Sequence, residues 1–172
     1  MINLNLENEI QEWAQQALEP DFRIFSMNLV PGKNILKIKI SLDKLSDPWG
    51  APNVSDCSRY TRAFDNILEE KANAGKLTNE YVIEVSSPGA ERTLAGEAEW
   101  ARFQDKPMKV RYYIAPEKRN TEVFLYVKTD GDRTFWKKAK LKKDKKVAPK
   151  RNIEEVIILT KDIIQVNLYL DI

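Results

Sequence analysis

Apolar residues recur along the chain with two different periods, one typical of helices and one typical of strands. Near the start they return at every third or fourth position, which predicts an amphipathic helix ending near Pro20. Two strands at residues 22–30 and 35–42 follow, joined as a hairpin by Pro-Gly-Lys-Asn at 31–34. The apolar face of the helix comprises Leu6, Ile10, Trp13, Ala14, Ala17 and Leu18, and that of the second strand Leu36, Ile38, Ile40 and Leu42.

A second helix and a third strand complete the first half. Asn53 is a good N-cap, and Asp56 takes the third helical position, where an acid complements the helix dipole. The helix runs to about Asn73, and Gly75 stops it. Residues 81–86 then alternate as a strand, so the first half predicts an α-β-β-α-β order in which two helices cover one small sheet. The apolar stripe of this helix consists of Val54, Cys57, Tyr60, Phe64, Ile67 and Leu68.

The second half predicts a short helix at 97–103 and then only strands. Five short strands within about 65 residues favour a small closed barrel, because closure removes exposed sheet edges. The predicted fold class is therefore α+β, with an N-terminal domain at 1–93 and a C-terminal barrel domain at 94–172. The strands are predicted at 108–114, 121–128, 133–141, 153–160 and 163–170.

A sharp turn follows the third strand of the first half. Pro88 takes the second position of the turn, which requires φ near −65°. Gly89 takes the third position, which in a type II turn requires a positive φ. An acid and a base, Glu91 and Arg92, follow directly. Taken alone, Ser-Pro-Gly is only a turn.

Composition excludes several kinds of chemistry. The 172 residues include no histidine, which removes Ser-His and Cys-His nucleophile pairs and histidine zinc sites. Cys57 is the only cysteine, so an intrachain disulfide is impossible and a reducing compartment is expected. The start lacks the pattern of a signal peptide, and no apolar run has the roughly 18 residues of a membrane span. We expect a cytoplasmic protein that has no cofactor, no metal and no membrane partner.

The net charge of +2 hides a division between the two halves. Residues 1–94 carry 10 basic and 14 acidic side chains, a net of −4, whereas residues 95–172 carry 18 and 12, a net of +6. Such asymmetry favours two surfaces that meet different partners, although uneven surface decoration is the alternative.

The complete segment 81–94, Tyr-Val-Ile-Glu-Val-Ser-Ser-Pro-Gly-Ala-Glu-Arg-Thr-Leu, resembles the signature of the RimP family of bacterial ribosome maturation factors. We call it the signature segment. The likeness extends to Ile-Ser-Leu-Asp at 40–43, Val-Ser-Asp-Cys at 54–57 and Asp-Ile-Ile-Gln-Val-Asn-Leu at 162–168. Three residues of the segment, Ala90, Glu91 and Thr93, replace commoner family residues.

The resemblance implies an N-terminal α/β domain followed by a five-stranded barrel of the Sm/SH3-like kind, without catalysis. It implies binding to the immature 30S small ribosomal subunit and promotion of its assembly. The expected partners are a basic ribosomal protein near the decoding centre and the small-subunit rRNA, and we expect a monomer. A general RNA-binding or RNA-chaperone protein with a Sm-like domain is the alternative, but it leaves the signature segment without a purpose.

Three sets of residues are candidates for partner contacts. The first lies on the signature segment, where serine hydroxyls or backbone amides could accept an anion and Arg92 could pair with a phosphate or a carboxylate. The alternative is structural: Glu84 pairs with Arg92, and the serines satisfy backbone groups. The set comprises Glu84, Ser86, Ser87, Pro88, Gly89 and Arg92.

The second set is a basic strand in the C-terminal half. Lysines on one strand face with an aromatic among them suit RNA, since ammonium groups displace counterions and an indole stacks on an unpaired base. The alternative is an edge strand protected by lysine, with its tryptophan packed under a loop. This face carries Trp136, Lys138, Lys140 and Lys142.

The third set is acidic and lies on or beside the first helix. We expect this surface to receive the basic ribosomal protein, with an ordinary solvated helix face as the alternative. Its members are Glu7, Glu9, Glu12, Glu19 and Asp21.

Overall fold

The first helix forms where the apolar spacing predicts it. The structure is a computed structural model, and it describes residues 4–141 and 155–170. Helix α1 spans Leu4–Gln16 and buries Ile10, Trp13 and Ala14 against the rest of its unit. A helix of this length is marginal by itself in water, so this packed face is what stabilises it.

A three-stranded sheet forms the centre of the N-terminal unit. Strand β1 (Phe22–Pro31) pairs antiparallel with β2 (Ile35–Lys44), and the predicted hairpin closes with Gly32 N–H donating to Ile35 O at 2.9 Å. Strand β3 (Glu80–Ser86) lies on the other side of β2 and runs parallel to it. The predicted apolar face of β2 is confirmed, because all four of its residues are at most 2 % exposed.

Helix α2 (Val54–Asn73) is the crossover that a parallel strand pair requires. The predicted N-cap is confirmed as a full capping box, in which Asn53 and Asp56 each bind the other's backbone N–H. Gly75 lies just beyond the helix at φ 73°, a conformation that favours glycine. The predicted α-β-β-α-β order is therefore observed.

The described residues of the C-terminal unit form a short α-helix and a five-stranded sheet. Every pairing in the sheet is antiparallel, in the order β7-β6-β5-β4-β8. The mixed α+β fold class is confirmed. Among the described residues β7 and β8 are the two ends of this order, so closure into a barrel stays a prediction. The elements are α3 (Glu97–Arg102), β4 (Met108–Ala115), β5 (Lys118–Asp130), β6 (Arg133–Lys138), β7 (Glu155–Leu159), a 3₁₀ turn (Thr160–Asp162) and β8 (Ile163–Leu168).

Aromatic side chains fill the covered face of this sheet, which we call the inner face. Trp136 is fully buried, and its ring centroid lies 5.2 Å from that of Tyr126, 5.6 Å from Trp100 and 6.2 Å from Phe124. These distances fall in the range of favourable tilted aromatic pairs. The inner face is thus a packed core built around one tryptophan.

By their internal contacts the residues divide into two compact units, Met1–Gly89 and Ala90–Ile172. Each unit has a core of its own, with the three-stranded sheet in one and the aromatic cluster in the other. The domain limits of 1–93 and 94–172 stay a prediction.

Candidate functional site

The signature segment ends β3 and turns at its carboxyl end. Ser86 lies opposite Ser41 of β2, with their hydroxyl oxygens 3.4 Å apart. Gly89 has φ 88°, as the turn chemistry predicts. Apart from its two chain neighbours, no described residue has a heavy atom within 4 Å of the position that a Cβ at Gly89 would take. The backbone angle therefore calls for glycine here.

Two lysines of the neighbouring strand are ion-pair partners of Glu84. The Glu84 carboxylate lies 3.8 Å from Lys37 Nζ and 3.6 Å from Lys39 Nζ, both on the neighbouring strand. Because Lys37, Lys39 and Glu84 are all about half exposed, these ion pairs add little to stability. Glu84 therefore stays accessible to a partner.

The side chain of Arg92 is buried in this structure, and its contact with a phosphate or a carboxylate of a partner stays a prediction. The residue is 4 % exposed, its guanidinium carbon lies 4.6 Å from the Phe103 ring centroid, and Nη2 lies 3.9 Å from a Glu99 oxygen. Its carbonyl accepts a hydrogen bond from the backbone N–H of Leu168 at 3.0 Å. The turn directs the backbone along β8, and the side chain enters the core of the C-terminal unit.

A groove of about 580 Å³ adjoins the signature segment on its own unit. The start of α2 lines one side with Asn53, Cys57 and Arg62, and the end of β3 lines the other with Ser86 and Ser87. The two meet because β2 and β3 are parallel, so that α2 begins at the same sheet edge at which β3 ends. Sequence periodicity locates each element but does not indicate the groove, because it does not say which strands pair or in which direction.

A buried acid holds the α2 side of the groove in place. Asp56 is 4 % exposed and accepts hydrogen bonds from Asn53 N at 3.0 Å, Lys44 Nζ at 2.9 Å and Arg59 Nη2 at 2.9 Å. The backbone bond from Asn53 is the largest influence, followed by the Lys44 bond, and together with Arg59 they lower the pKa of Asp56 to about 2. The carboxylate is therefore charged at neutral pH and joins the end of β2 to the start of α2.

The groove also contains the chain's only thiol. Cys57 is half-buried, and Thr61 Oγ1 donates to its carbonyl at 2.8 Å. Burial, and secondly the nearby Asp56 carboxylate, raise the pKa of the Cys57 thiol. The thiol is thus protonated at neutral pH, unlike an activated nucleophile.

The predicted RNA-contact face of β6 divides in the structure. Trp136 is fully buried, and its indole N–H donates to Thr134 Oγ1 at 2.7 Å, so it presents no ring face to a base in this structure. Lys138 lies on the same strand face but at the strand end, where its Nζ is 3.3 Å from a Glu122 oxygen. Lys140 is exposed, and Lys142 lies outside the described residues. The alternative of a packed tryptophan is the one that the structure supports.

The acidic set also separates into two groups. Glu19 accepts a hydrogen bond from Arg59 Nε at 3.0 Å, and Asp21 binds the backbone N–H and hydroxyl of Ser46 at 2.9 and 2.6 Å. These two side chains therefore stabilise the N-terminal unit itself. The other three acids, Glu7, Glu9 and Glu12, lie on α1 itself, and Glu12 is exposed.

Within residues 4–141 and 155–170, no group of three or more His, Cys, Asp or Glu side chains is placed to hold a metal ion. None of the helices described is long and apolar enough to cross a membrane.

Comparison with known proteins finds a family similarity in the N-terminal unit, including most of the signature segment. Residues 14–91 match the family model described as the RimP N-terminal domain. This part of the chain is similar to the N-terminal domain of RimP proteins. This match covers β1 to β3, α2 and most of the signature segment, so the matched residues include the groove.

RimP relatives extend the likeness over nearly the whole chain, and the predicted resemblance is confirmed. A protein of Leptospira biflexa named ribosome maturation factor RimP is 28 % identical over 169 residues, or 96 % of this chain and 98 % of the relative. One of the same name from Leptospira interrogans is 28 % identical over 165 residues, 95 % and 96 % of the two chains. A third, from Prochlorococcus marinus, is 29 % identical over 106 residues, 62 % of this chain and 63 % of the relative.

Proposed function

We propose that the protein is a non-enzymatic maturation factor of the 30S small ribosomal subunit, acting in the cytoplasm on the immature particle. The observation that carries this proposal is the likeness to named ribosome maturation factors over 96 % of the chain. The division of charge supports it, because a half-assembled subunit offers both basic proteins and polyanionic RNA. In this view the five-stranded sheet is the described part of a small Sm/SH3-like barrel.

The accessible part of the signature segment is the first proposed contact with the particle. Glu84, Ser86 and Ser87 are exposed, and the two serines line the groove. Pro88 and Gly89 fix the turn that follows them. The capping box and the Asp56 bonds keep the opposite wall in place, so a partner would meet a preformed surface. The second proposed contact consists of the α1 acids, for a basic ribosomal protein near the decoding centre.

Sedimentation tests the function as a whole. The tagged chain should sediment with free immature small subunits and be absent from mature ribosomes, and its depletion should cause unprocessed small-subunit rRNA to accumulate. A general RNA-binding protein would instead spread across all RNA-containing fractions. An even spread, together with normal rRNA processing after depletion, would refute the proposal.

Cross-linking tests the signature segment on the same particles. In a Cys57→Ala background, Ser87→Cys places a thiol at the carboxyl end of β3, beside the groove, and Asn79→Cys places one just before its amino end. A short thiol-to-amine reagent should link the Ser87→Cys variant to a subunit component in much higher yield than the control. Equal yields from the two variants would exclude this edge as the contact.

A further inference from the structure

The outward-facing residues of the five-stranded sheet are strongly basic. Strand β6 directs Thr134 and Trp136 into the core, so Arg133, Phe135 and Lys137 must lie on the opposite side. We call this side the outer face. Alternation along a strand divides its residues into two sets without saying which set is buried, so the sequence alone does not single out this side.

Strand pairing extends the outer face across the sheet. Lys109 and Arg111 of β4 lie opposite Val123 and Thr121 of β5, and their side chains alternate with the buried Met108, Val110 and Tyr112. Arg119 lies opposite Tyr113 in the same pairing. The basic residues of the outer face are Lys109, Arg111, Arg119, Lys128, Arg133 and Lys137.

An irregularity in β5 brings one of these lysines to the outer face. The register with β6 shifts between Tyr126 and Lys128, which leaves Val127 as an extra residue and puts Lys128 opposite Phe135. Without the shift, strict alternation from the buried Tyr126 would turn Lys128 inward. The Lys128 Nζ instead lies 4.9 Å from the Phe135 ring centroid.

Protection of a sheet edge does not explain these charges. Lysines guard edge strands against pairing with other chains, yet β4 and β5 are internal strands of this sheet. Lys109 and Arg111 lie on β4, where Lys109 Nζ is 3.5 Å from a Glu91 oxygen and Arg111 Nη2 donates to Gln165 Oε1 at 2.9 Å. The only acids at outer-face positions in the described strand pairings are Asp130 and Glu155, so the face has a net positive charge.

Aromatic rings lie among the cations. Tyr113 is 37 % exposed and has the Arg119 guanidinium carbon 5.7 Å from its centroid, and the partly exposed Phe135 lies opposite Ile157, which is 55 % exposed. Cations alone would suit any polyanion, including an acidic protein. Exposed rings interleaved with cations are typical of surfaces that bind single-stranded nucleic acid, where bases stack while phosphates are neutralised.

We propose that the outer face binds a single-stranded segment of RNA, with Arg111, Lys128 and Lys137 neutralising phosphates and Phe135 stacking on a base. The inference rests on the proposed function for the identity of that RNA, an unpaired segment of immature small-subunit rRNA. It differs from the contact predicted on Trp136, Lys138 and Lys140, which belong to the other strand face or lie beyond the strand.

The test compares two triple variants of the full chain with the same net charge. Arg111→Gln/Lys128→Gln/Lys137→Gln alters the outer face, and Lys138→Gln/Lys140→Gln/Lys161→Gln removes three exposed lysines of the same unit that lie elsewhere. Binding of an unstructured 20-nucleotide RNA is followed by fluorescence anisotropy across a salt series. The outer-face variant should bind at least tenfold more weakly at low salt, and the log–log salt slope should become smaller by about 2.

Two further variants separate charge from stacking and from misfolding. Phe135→Leu keeps an apolar side chain but removes the ring, and it should weaken binding about tenfold with an unchanged salt slope. The charge-preserving Arg111→Lys/Lys128→Arg/Lys137→Arg should bind as the unaltered chain does. Loss of binding in that variant would assign the effect to disturbed packing and overturn the proposal.

Other outcomes are equally decisive. Similar losses in the outer-face and control triples would overturn the proposal, as would binding of poly-glutamate in preference to RNA. Failure of the proposed function is distinguishable, because it appears as absence of the unaltered chain from immature subunits in the sedimentation experiment, whichever surface binds the oligonucleotide.

Discussion

At the scale of single residues, Asp56 joins the end of β2 to the start of α2 in the N-terminal unit. It completes the cap of α2 through Asn53 and pairs with Lys44 from the end of β2 and with Arg59 one helical turn on. A buried carboxylate is costly unless its oxygens are satisfied, and here three donors satisfy them. The residue therefore fixes the α2 side of the groove.

The lowered pKa of Asp56 makes the stability of the N-terminal unit depend on pH. Its folded-state pKa of about 2 is below the ordinary 3.8, so its stabilising contribution is fully present above about pH 4. That contribution should be lost as the pH falls from about 4 to 2, which urea unfolding at a series of pH values will measure. In Asp56→Asn the unfolding free energy should be lower at neutral pH and should fall less over this interval. An identical pH dependence in the variant would contradict the assignment.

At the scale of elements, sequence periodicity located nearly all of the helices and strands. It did so because β2 and α2 each expose one face and bury the other, which leaves a clear period in the sequence. It failed where the decision depended on contacts between elements. Trp136 and Lys138 share a strand face with the core, and Arg92 is buried by Phe103 and Glu99, none of which local sequence indicates.

Strand β2 offers a matched test of the core it forms. Ile38 is fully buried at its centre, whereas Ile35 at its start is 46 % exposed. Ile38→Ala should lower the unfolding free energy by about 2 to 5 kcal/mol, because it removes buried methyl groups and leaves a cavity. Ile35→Ala should cost clearly less, about 1 kcal/mol or below. Chemical denaturation with fluorescence detection measures both, and equal costs would show that Ile38 is not packed as described.

At the scale of the whole molecule, the opposite charges of the two halves predict different partners for the two units. The N-terminal half carries a net −4 and the C-terminal half a net +6, and in each unit some charges are already used internally. Glu19 and Asp21 bind Arg59 and Ser46, so only part of the predicted acidic surface remains for a partner. Sequence alone could count these charges but could not say which were already paired.

The remaining acids of α1 can be tested against other acids of the same unit. Glu7→Gln/Glu9→Gln/Glu12→Gln should weaken low-salt binding of a basic small-subunit ribosomal protein several-fold, because screened attraction between unlike charges is lost. The control Glu69→Gln/Glu70→Gln/Glu80→Gln removes the same charge from exposed positions on α2 and β3 and should have little effect. Isothermal titration calorimetry at two salt concentrations measures the difference. Equal affinities of the two variants would remove α1 from the interface.

The lone sulfhydryl has a practical use. Cys57 lies in the wall of the groove beside the signature segment, and the chain contains no second cysteine to compete for a reagent. A maleimide fluorophore would therefore attach at one known point of the native sequence. Slow labelling of the free protein, followed by protection when a ligand covers the groove, would provide a direct optical signal of occupancy.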